Sequence, residues 1–253
     1  MTRPAVLVTG GAKRLGAVAV RHFAAAGWHV AIHCHRSREE AEELASELPS
    51  AEVVSCNLAD TQAAAHMIQD LAGRLADWRC LVNSAALFDP DTVTDLDPET
   101  NARAALVNAA VPALMAQTYF AHANSAAGRR VIQVTDQKLA NLNPDFFSYT
   151  MSKAAADVAA RMLAMHADGE DRVYCLAPGA ILASHDQSEE EAERSHRMNL
   201  LHRRTGADEI ADAMLFLAEG PLASGQTLFV DSGQHLLDQP RDVIYLERMD
   251  RAS

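Results

Sequence analysis

Tyr149 and Lys153 stand four residues apart in the run Tyr149-Thr150-Met151-Ser152-Lys153. On a helix that spacing points both side chains the same way, so the ammonium can depress the pKa of the phenol. A phenol near its reference pKa of about 10 is unreactive at neutral pH, but a cation and then a bound cofactor beside it would make it a proton donor. Taken alone the pair suits an ordinary helix surface equally well, so its meaning depends on what else the chain places beside it.

The elements that would position it begin at the N-terminus. Ala5-Val6-Leu7-Val8-Thr9 reads as a short buried strand that runs into Gly10-Gly11-Ala12-Lys13-Arg14-Leu15-Gly16 and then a helix. Gly10 and Gly11 would let the backbone turn sharply and approach a pyrophosphate. The helix N-terminus behind them offers free N–H groups and a partial positive charge. A plain tight turn is the other reading. Further strands are expected near 29–34, 51–55, 79–83, 130–135, 172–176 and 226–230, with helices between most of them, including long ones at about 101–124 and 148–167. Even alternation of this kind argues for one α/β domain over 1–253, a doubly wound parallel sheet of about seven strands with helices on both faces. Right-handed crossovers would gather the C-terminal strand ends, and with them the motifs, on one edge.

The spacing Thr9-Gly10-x-x-x-Arg14-x-Gly16 followed by Tyr149-x-x-x-Lys153 resembles the short-chain dehydrogenase/reductase family, and nearly the whole chain takes part. Leu81-Val82-Asn83-Ser84-Ala85, Asn108, Leu176-Ala177-Pro178-Gly179 and Val230-Asp231-Ser232-Gly233 arrive in the family's order. Within the family the chain looks most like pteridine reductases and the related bacterial dihydromonapterin or dihydrofolate reductases. Arg14 replaces the usual middle glycine, His33-Cys34-His35-Arg36-Ser37 follows the second strand, and Asp136 stands thirteen residues before Tyr149 where most members have serine. A carboxyl beside a phenol suits a nitrogen heterocycle that gains a proton on ring nitrogen as hydride reaches carbon.

The resemblance implies an NADPH-dependent reductase that takes a dihydropterin or dihydrofolate to the tetrahydro form. Tyr149, helped by Asp136, would supply the proton. Lys153 would lower the Tyr149 pKa and hydrogen-bond the nicotinamide ribose, and Asn108 matches the position that holds a water joining Lys153 to solvent. Phe88 aligns with an aromatic that stacks on the pterin, and Arg14 could reach both the cofactor phosphates and the pterin's polar edge. Gly10, Leu15, Gly16, Leu58, Asn83, Ser84, Ala85, Pro178 and Gly179 would line the dinucleotide. Asn57 stands where relatives carry Asp and could still accept the adenine amino group. Cofactor choice turns on the residues after the second strand: an NAD site usually has a carboxylate there, whereas this chain offers His35, Arg36 and Ser37, with Lys13 nearby, to grip a 2′-phosphate. The resemblance also implies a homotetramer with the long helices paired.

Composition adds limits. A net charge of −12 makes nucleic acid or an anionic membrane a poor partner, and the acidic runs at 39–43 and 189–193 read as solvated helix faces. No run of eighteen apolar residues stands out, and Met1-Thr2-Arg3-Pro4 leads straight into the first strand, so a cytoplasmic protein is expected. Cys34, Cys56, Cys80 and Cys175 lack metal-site or disulfide spacing and read as reduced core thiols; no metal site is expected. Residues 184–207, with Ser184-His185-Asp186-Gln187-Ser188, read as a flap over the substrate, and about 234–253 as a C-terminal tail. Two alternatives stay open: a general ketone or 3-oxoacyl reductase, which Ser at 136 would have favoured, and a non-catalytic NADPH-sensing protein, which would not need an intact Tyr149 and Lys153.

Overall fold

A computed structural model describes residues 3–184 and 187–250, except for the side chain of Asp250. Seven strands, β1 (Ala5–Val8), β2 (His29–Cys34), β3 (Ala51–Ser55), β4 (Trp78–Asn83), β5 (Arg130–Val134), β6 (Arg172–Pro178) and β7 (Thr227–Val230), form one parallel sheet in the order β3-β2-β1-β4-β5-β6-β7. The order reverses direction between β1 and β4, which opens a crevice at the strands' C-terminal ends. Each expected strand is present, within a residue or two at its ends.

Because both faces of a parallel sheet are covered, β1 reads as an unbroken apolar run whose alternate residues enter different cores. Val6 and Val8 join Phe23, Trp28, Ile32 and Met214 under α1 (Arg14–Ala25) and α8 (Ala207–Glu219). Ala5 and Leu7 join Ile68, Trp78, Met115 and Tyr119 under α3 (Thr61–Arg74), α5 (Val111–His122) and α6 (Phe147–His166). Truncating a fully buried side chain such as Leu7 to Ala would cost about 2–5 kcal/mol. All four cysteines are buried and unbridged, and burial pushes the Cys175 thiol up to about 12.

The helix expected at 101–124 is interrupted. It starts as α4 (Pro98–Ala105), passes through a π-helical turn at Leu106–Ala110 and resumes as α5. Pro112 is the physical reason: it has no N–H to give the Asn108 carbonyl, and the ladder steps to Val111 N–H on Leu106 O. Pro98–His122 is long and apolar enough by composition to cross a membrane, but just over half of its most apolar stretch is buried, with α5 packed on α3 and α4 on α6.

The remaining elements surround the crevice. They are α2 (Arg38–Ser46), a 3₁₀ turn at Gln137–Leu139, α7 (Glu189–Ser195), a second 3₁₀ turn at Gln234–Leu236 and α9 (Val243–Asp250). The stretch read as a flap therefore contains a helix, started by a capping box between Ser188 and Glu191, while His185 and Asp186 lie outside the described residues. The tail also folds. Arg241 forks onto Asp145 at 2.7–3.0 Å, the Asp242 N–H donates to Asp145, and Arg194 of α7 pairs with Glu247 of α9 at 2.6 Å.

Candidate active site

A cavity of about 1140 Å³ runs along the C-terminal edge of the sheet. At one end the loop after β1 is shaped by glycine. Gly10 has φ +66°, and a Cβ on Gly16 would lie 2.2 Å from the Gly10 carbonyl oxygen, so no other residue fits there. The Gly10 N–H donates to Nδ1 of His33, whose Nε2 donates to the Cys56 carbonyl. Burial lowers His33 to about 4, which keeps it neutral and able to accept. Thr9 Oγ1 accepts from the N–H groups of Ser84 and Ala85, fastening the loop after β4 to the glycine loop. Neither Thr9 nor His33 was picked out as a site residue from sequence. Each makes long-range contacts to backbone, which no local motif records.

Lys13, Arg14, Leu15, Gly16, His35, Arg36, Ser37, Asn57, Leu58, Ser84 and Ala85 all line this end or its approach. Arg36 is exposed and makes no ion pair among the described residues, so its guanidinium is available for an anion. Lys13 is instead paired with Glu40 at 2.5 Å, and Asn57 Oδ1 accepts from the Ala59 N–H. Arg14 has φ +53°, the left-handed conformation that a glycine would take without strain, and its Nη2 donates to the Ala183 carbonyl at 2.8 Å. Asn83 differs from expectation. It is 2% exposed and does not line the cavity; its amide faces Pro112 O in α5 and leaves Oδ1 without a partner.

The other end holds buried side chains. Tyr149 Oη donates to Asp136 Oδ2 at 2.8 Å, and Asp136 Oδ1 accepts from the Lys138 N–H, also at 2.8 Å. Asp91 takes the Ser148 N–H and hydroxyl, which anchors the start of α6 next to Tyr149. Lys153 Nζ donates to the Val134 carbonyl at 2.7 Å and lies 5.6 Å from the Tyr149 ring centre. Burial, reinforced by the Asp136 carboxylate, holds the Tyr149 phenol well above its ordinary value, and burial also raises Asp136. This reverses the expected depression by Lys153, because the ammonium is turned to a carbonyl and the phenol's direct partner is an anion. Lys153 itself is brought down to about 8 by burial, with Asp136 acting against the shift. The arrangement keeps the phenol protonated and pushes the carboxyl towards its protonated form.

Asn108 lies behind this end rather than in the cavity wall. Its amide clamps both backbone groups of Leu87 and donates to Ser152 Oγ, so its side chain does not point a water at Lys153. Phe88 does line the cavity, with one face stacked on Phe146 at 4.3 Å and Tyr149 edge-on to it at 4.6 Å. Pro178 and Gly179 reach the wall, and a Cβ on Gly179 would lie 2.8 Å from Asp231 Cβ. Gln187, His196, Gln234, Asp242 and Ile244 complete the end from segments with no motif of their own. Among the described residues no cluster of His, Cys, Asp or Glu is arranged to hold a metal.

A family model described as enoyl-(acyl carrier protein) reductase matches residues 10–235, a span that includes the glycine loop, Tyr149, Lys153 and Pro178-Gly179. The chain belongs to the short-chain dehydrogenase/reductase family. The structure of FolM alternative dihydrofolate reductase 1 from Brucella suis in complex with NADP is 34% identical, covers 92% of this chain and 95% of its own, and superposes with a TM-score of 0.87. Pteridine reductase 1 of Leishmania tarentolae is 28% identical over 93% of this chain and 97% of its own length. NADPH-dependent aldehyde reductase 2, chloroplastic, of Arabidopsis thaliana is 28% identical over 90% and 92%. As a family member the protein is an oxidoreductase.

Proposed function

We propose that this enzyme reduces the ring of a dihydropterin or dihydrofolate to the tetrahydro form. Its cofactor is NADPH. The observation that carries the substrate reading is the 2.8 Å hydrogen bond between Tyr149 and Asp136, since a buried acid pair can deliver a proton to a basic ring nitrogen. The glycine cradle fits a pyrophosphate, and Arg36, without an ion pair among the described residues, fits a 2′-phosphate together with Ser37. When bound, the nicotinamide supplies hydride. The chain's own residues do the rest: Tyr149 Oη gives its proton to the ring nitrogen next to the carbon being reduced, and Asp136, which burial pushes towards its protonated form, takes up a proton and returns it to the phenolate. Lys153 keeps positive charge under the phenol once the proton has gone, and Phe88 offers an aromatic edge to a flat ring. Asn108 acts by holding the Leu87 backbone, and Pro112 denies its carbonyl the usual helical donor.

The test follows NADPH absorbance with dihydromonapterin, dihydrobiopterin, dihydrofolate and an acetoacetyl thioester, each repeated with Asp136→Ser. Oxidation with a dihydropterin that is lost in the variant supports the reading. Turnover of the thioester alone would make the protein a ketone or 3-oxoacyl reductase. NADPH binding without any turnover would point to a sensor. The same reading carries a cytoplasmic single-domain protein, a segment 184–207 that closes over substrate, and a homotetramer. For the last, α6 leaves Met151, Val158, Met162 and Met165 exposed along its length, and size-exclusion chromatography with light scattering would measure it.

A further inference from the structure

Asp242 comes from the C-terminal segment, yet it lines the cavity together with Lys138. Its position is closely fixed. The neighbouring Arg241 forks onto Asp145, the Asp242 N–H donates to the same carboxylate, and Oδ1 accepts the Ile244 N–H at the start of α9. Oδ2 lies 3.5 Å from Lys138 Nζ, a loose pair whose lysine is almost fully buried, and the Asp242 side chain keeps 19% of its surface.

Among the acceptors at this end, Asp242 combines a closely fixed backbone with a carboxylate that no side-chain donor among the described residues approaches nearer than 3.5 Å. Asp136 is committed to the phenol and to the turn that follows it, with hydrogen bonds of 2.8 Å from Tyr149 Oη and the Lys138 N–H. Gln187 Oε1 accepts from Ser184, and Gln234 Oε1 accepts from the Ala180 N–H. His196 Nδ1 has no partner but is shielded from the cavity surface. Arg14 is a donor and can meet only a carbonyl or ring nitrogen. A carboxylate offers about four lone-pair directions, and at Asp242 one hydrogen bond of 3.1 Å and one loose ion pair of 3.5 Å use two of them. Lys138, whose ammonium lies 3.5 Å from Asp242, gives its backbone N–H to Asp136, which puts Asp242 at the reacting end rather than the adenosine end.

We infer that Asp242 determines substrate specificity by accepting hydrogen bonds from the ring amino and adjacent ring N–H of the substrate, so that the enzyme prefers a 2-amino-4-oxo heterocycle. This rests on the pterin reading and deepens it. Adjacent N–H groups meet a carboxylate in the same forked geometry that guanidinium uses. Hydroxyls on the ring substituent have donor chemistry too and could meet the same carboxylate.

The test compares wild type with Asp242→Asn, because Asn caps a helix about as well as Asp and so spares α9 while removing the charge. Substrates are dihydrobiopterin, a 6-methyl dihydropterin without side-chain hydroxyls, and a 2-desamino dihydropterin. The expected result is a KM raised about tenfold or more for the two 2-amino substrates, kcat and the NADPH Kd nearly unchanged, and no KM change for the desamino ring. An effect confined to the hydroxylated substrate, an equal effect on the desamino ring, or a loss in kcat alone would each overturn the inference while leaving the pterin reading in place. A wild-type enzyme that neither binds nor reduces any of the three removes the pterin reading and this inference with it. If Asp242→Asn does not fold, Asp242→Ser retains a capping hydroxyl and gives the same comparison.

Discussion

At the dinucleotide end, built from residues 5–59 and the loop after β4, most of the site is backbone: N–H groups, glycines packed too closely for a Cβ, and a neutral histidine holding the loop. Its charged groups, Arg36 and Lys13, are exposed. At the other end the working groups are ionisable side chains drawn inside, Tyr149, Lys153 and Lys138 buried and Asp136 half-buried, brought together from separate segments. The first end recognises by shape and by charges that water can screen. The second relies on groups whose protonation is set by their burial. A substitution should therefore injure binding at one end and chemistry at the other.

The largest expected effect is at the chemical end. Tyr149→Phe should reduce kcat by about 10²–10⁴-fold while the NADPH Kd, followed by fluorescence titration, stays within about twofold. Arg36→Glu should do the reverse, weakening NADPH by about a hundredfold with NADH nearly untouched, measured as the ratio of the two Kd values. If either variant lowers binding and chemistry alike, the two ends are not separable. Gly16→Ala forces a methyl against the Gly10 carbonyl and should cost about 1–3 kcal/mol, or about ten- to a hundredfold in NADPH Kd.

The comparison also has a pH form. At the chemical end Lys153 titrates at about 8, so kcat/KM should fall as pH rises through that value. Removing the charge that supports its proton, as in Asp136→Asn, should move the limb to lower pH, and a limb that stays put would separate Lys153 from the profile. At the dinucleotide end His33 is lowered from 6.5 to about 4. The unfolded chain then binds the proton more readily than the folded one, so the contribution to stability is complete above about 6.5 and lost as pH falls towards 4. The loss is up to about 3 kcal/mol. Melting temperature against pH should show a decline over that window that is smaller in His33→Gln.

The same division explains what the sequence made legible. The sheet and the dinucleotide end are written locally: a strand such as 5–8, a glycine turn and a helix start lie side by side in the chain, so periodicity and spacing suffice. Tyr149, Lys153 and Asp136 could be read because helix geometry or a family position links them. Asp242, Gln187 and Gln234 could not, since they reach the site through ion pairs and loops that join residues tens of positions apart, as Arg241 does with Asp145. Asn83 misled for a related reason. Its place beside Ser84 and Ala85 is a fact of the chain, whereas the side on which a strand residue emerges depends on register. The expected depression of the Tyr149 pKa failed because helix spacing says which groups are near, not which one holds the hydrogen bond.

The π-helical turn at Leu106–Ala110 amounts to one surplus residue wound into an otherwise continuous helix. Each residue advances an α-helix by roughly a quarter turn, so the surplus sets the azimuth of α5 relative to α4. It lets Asn108 grip Leu87 while Met115 and Tyr119 still point into the core beneath α3. Point substitutions on the exposed side of this segment leave that phasing alone. Deleting a single residue would remove that surplus and force a choice between seating the loop that carries Phe88 and seating the hydrophobic face of α5, so this stretch should be far less tolerant of changes in length than of changes in identity.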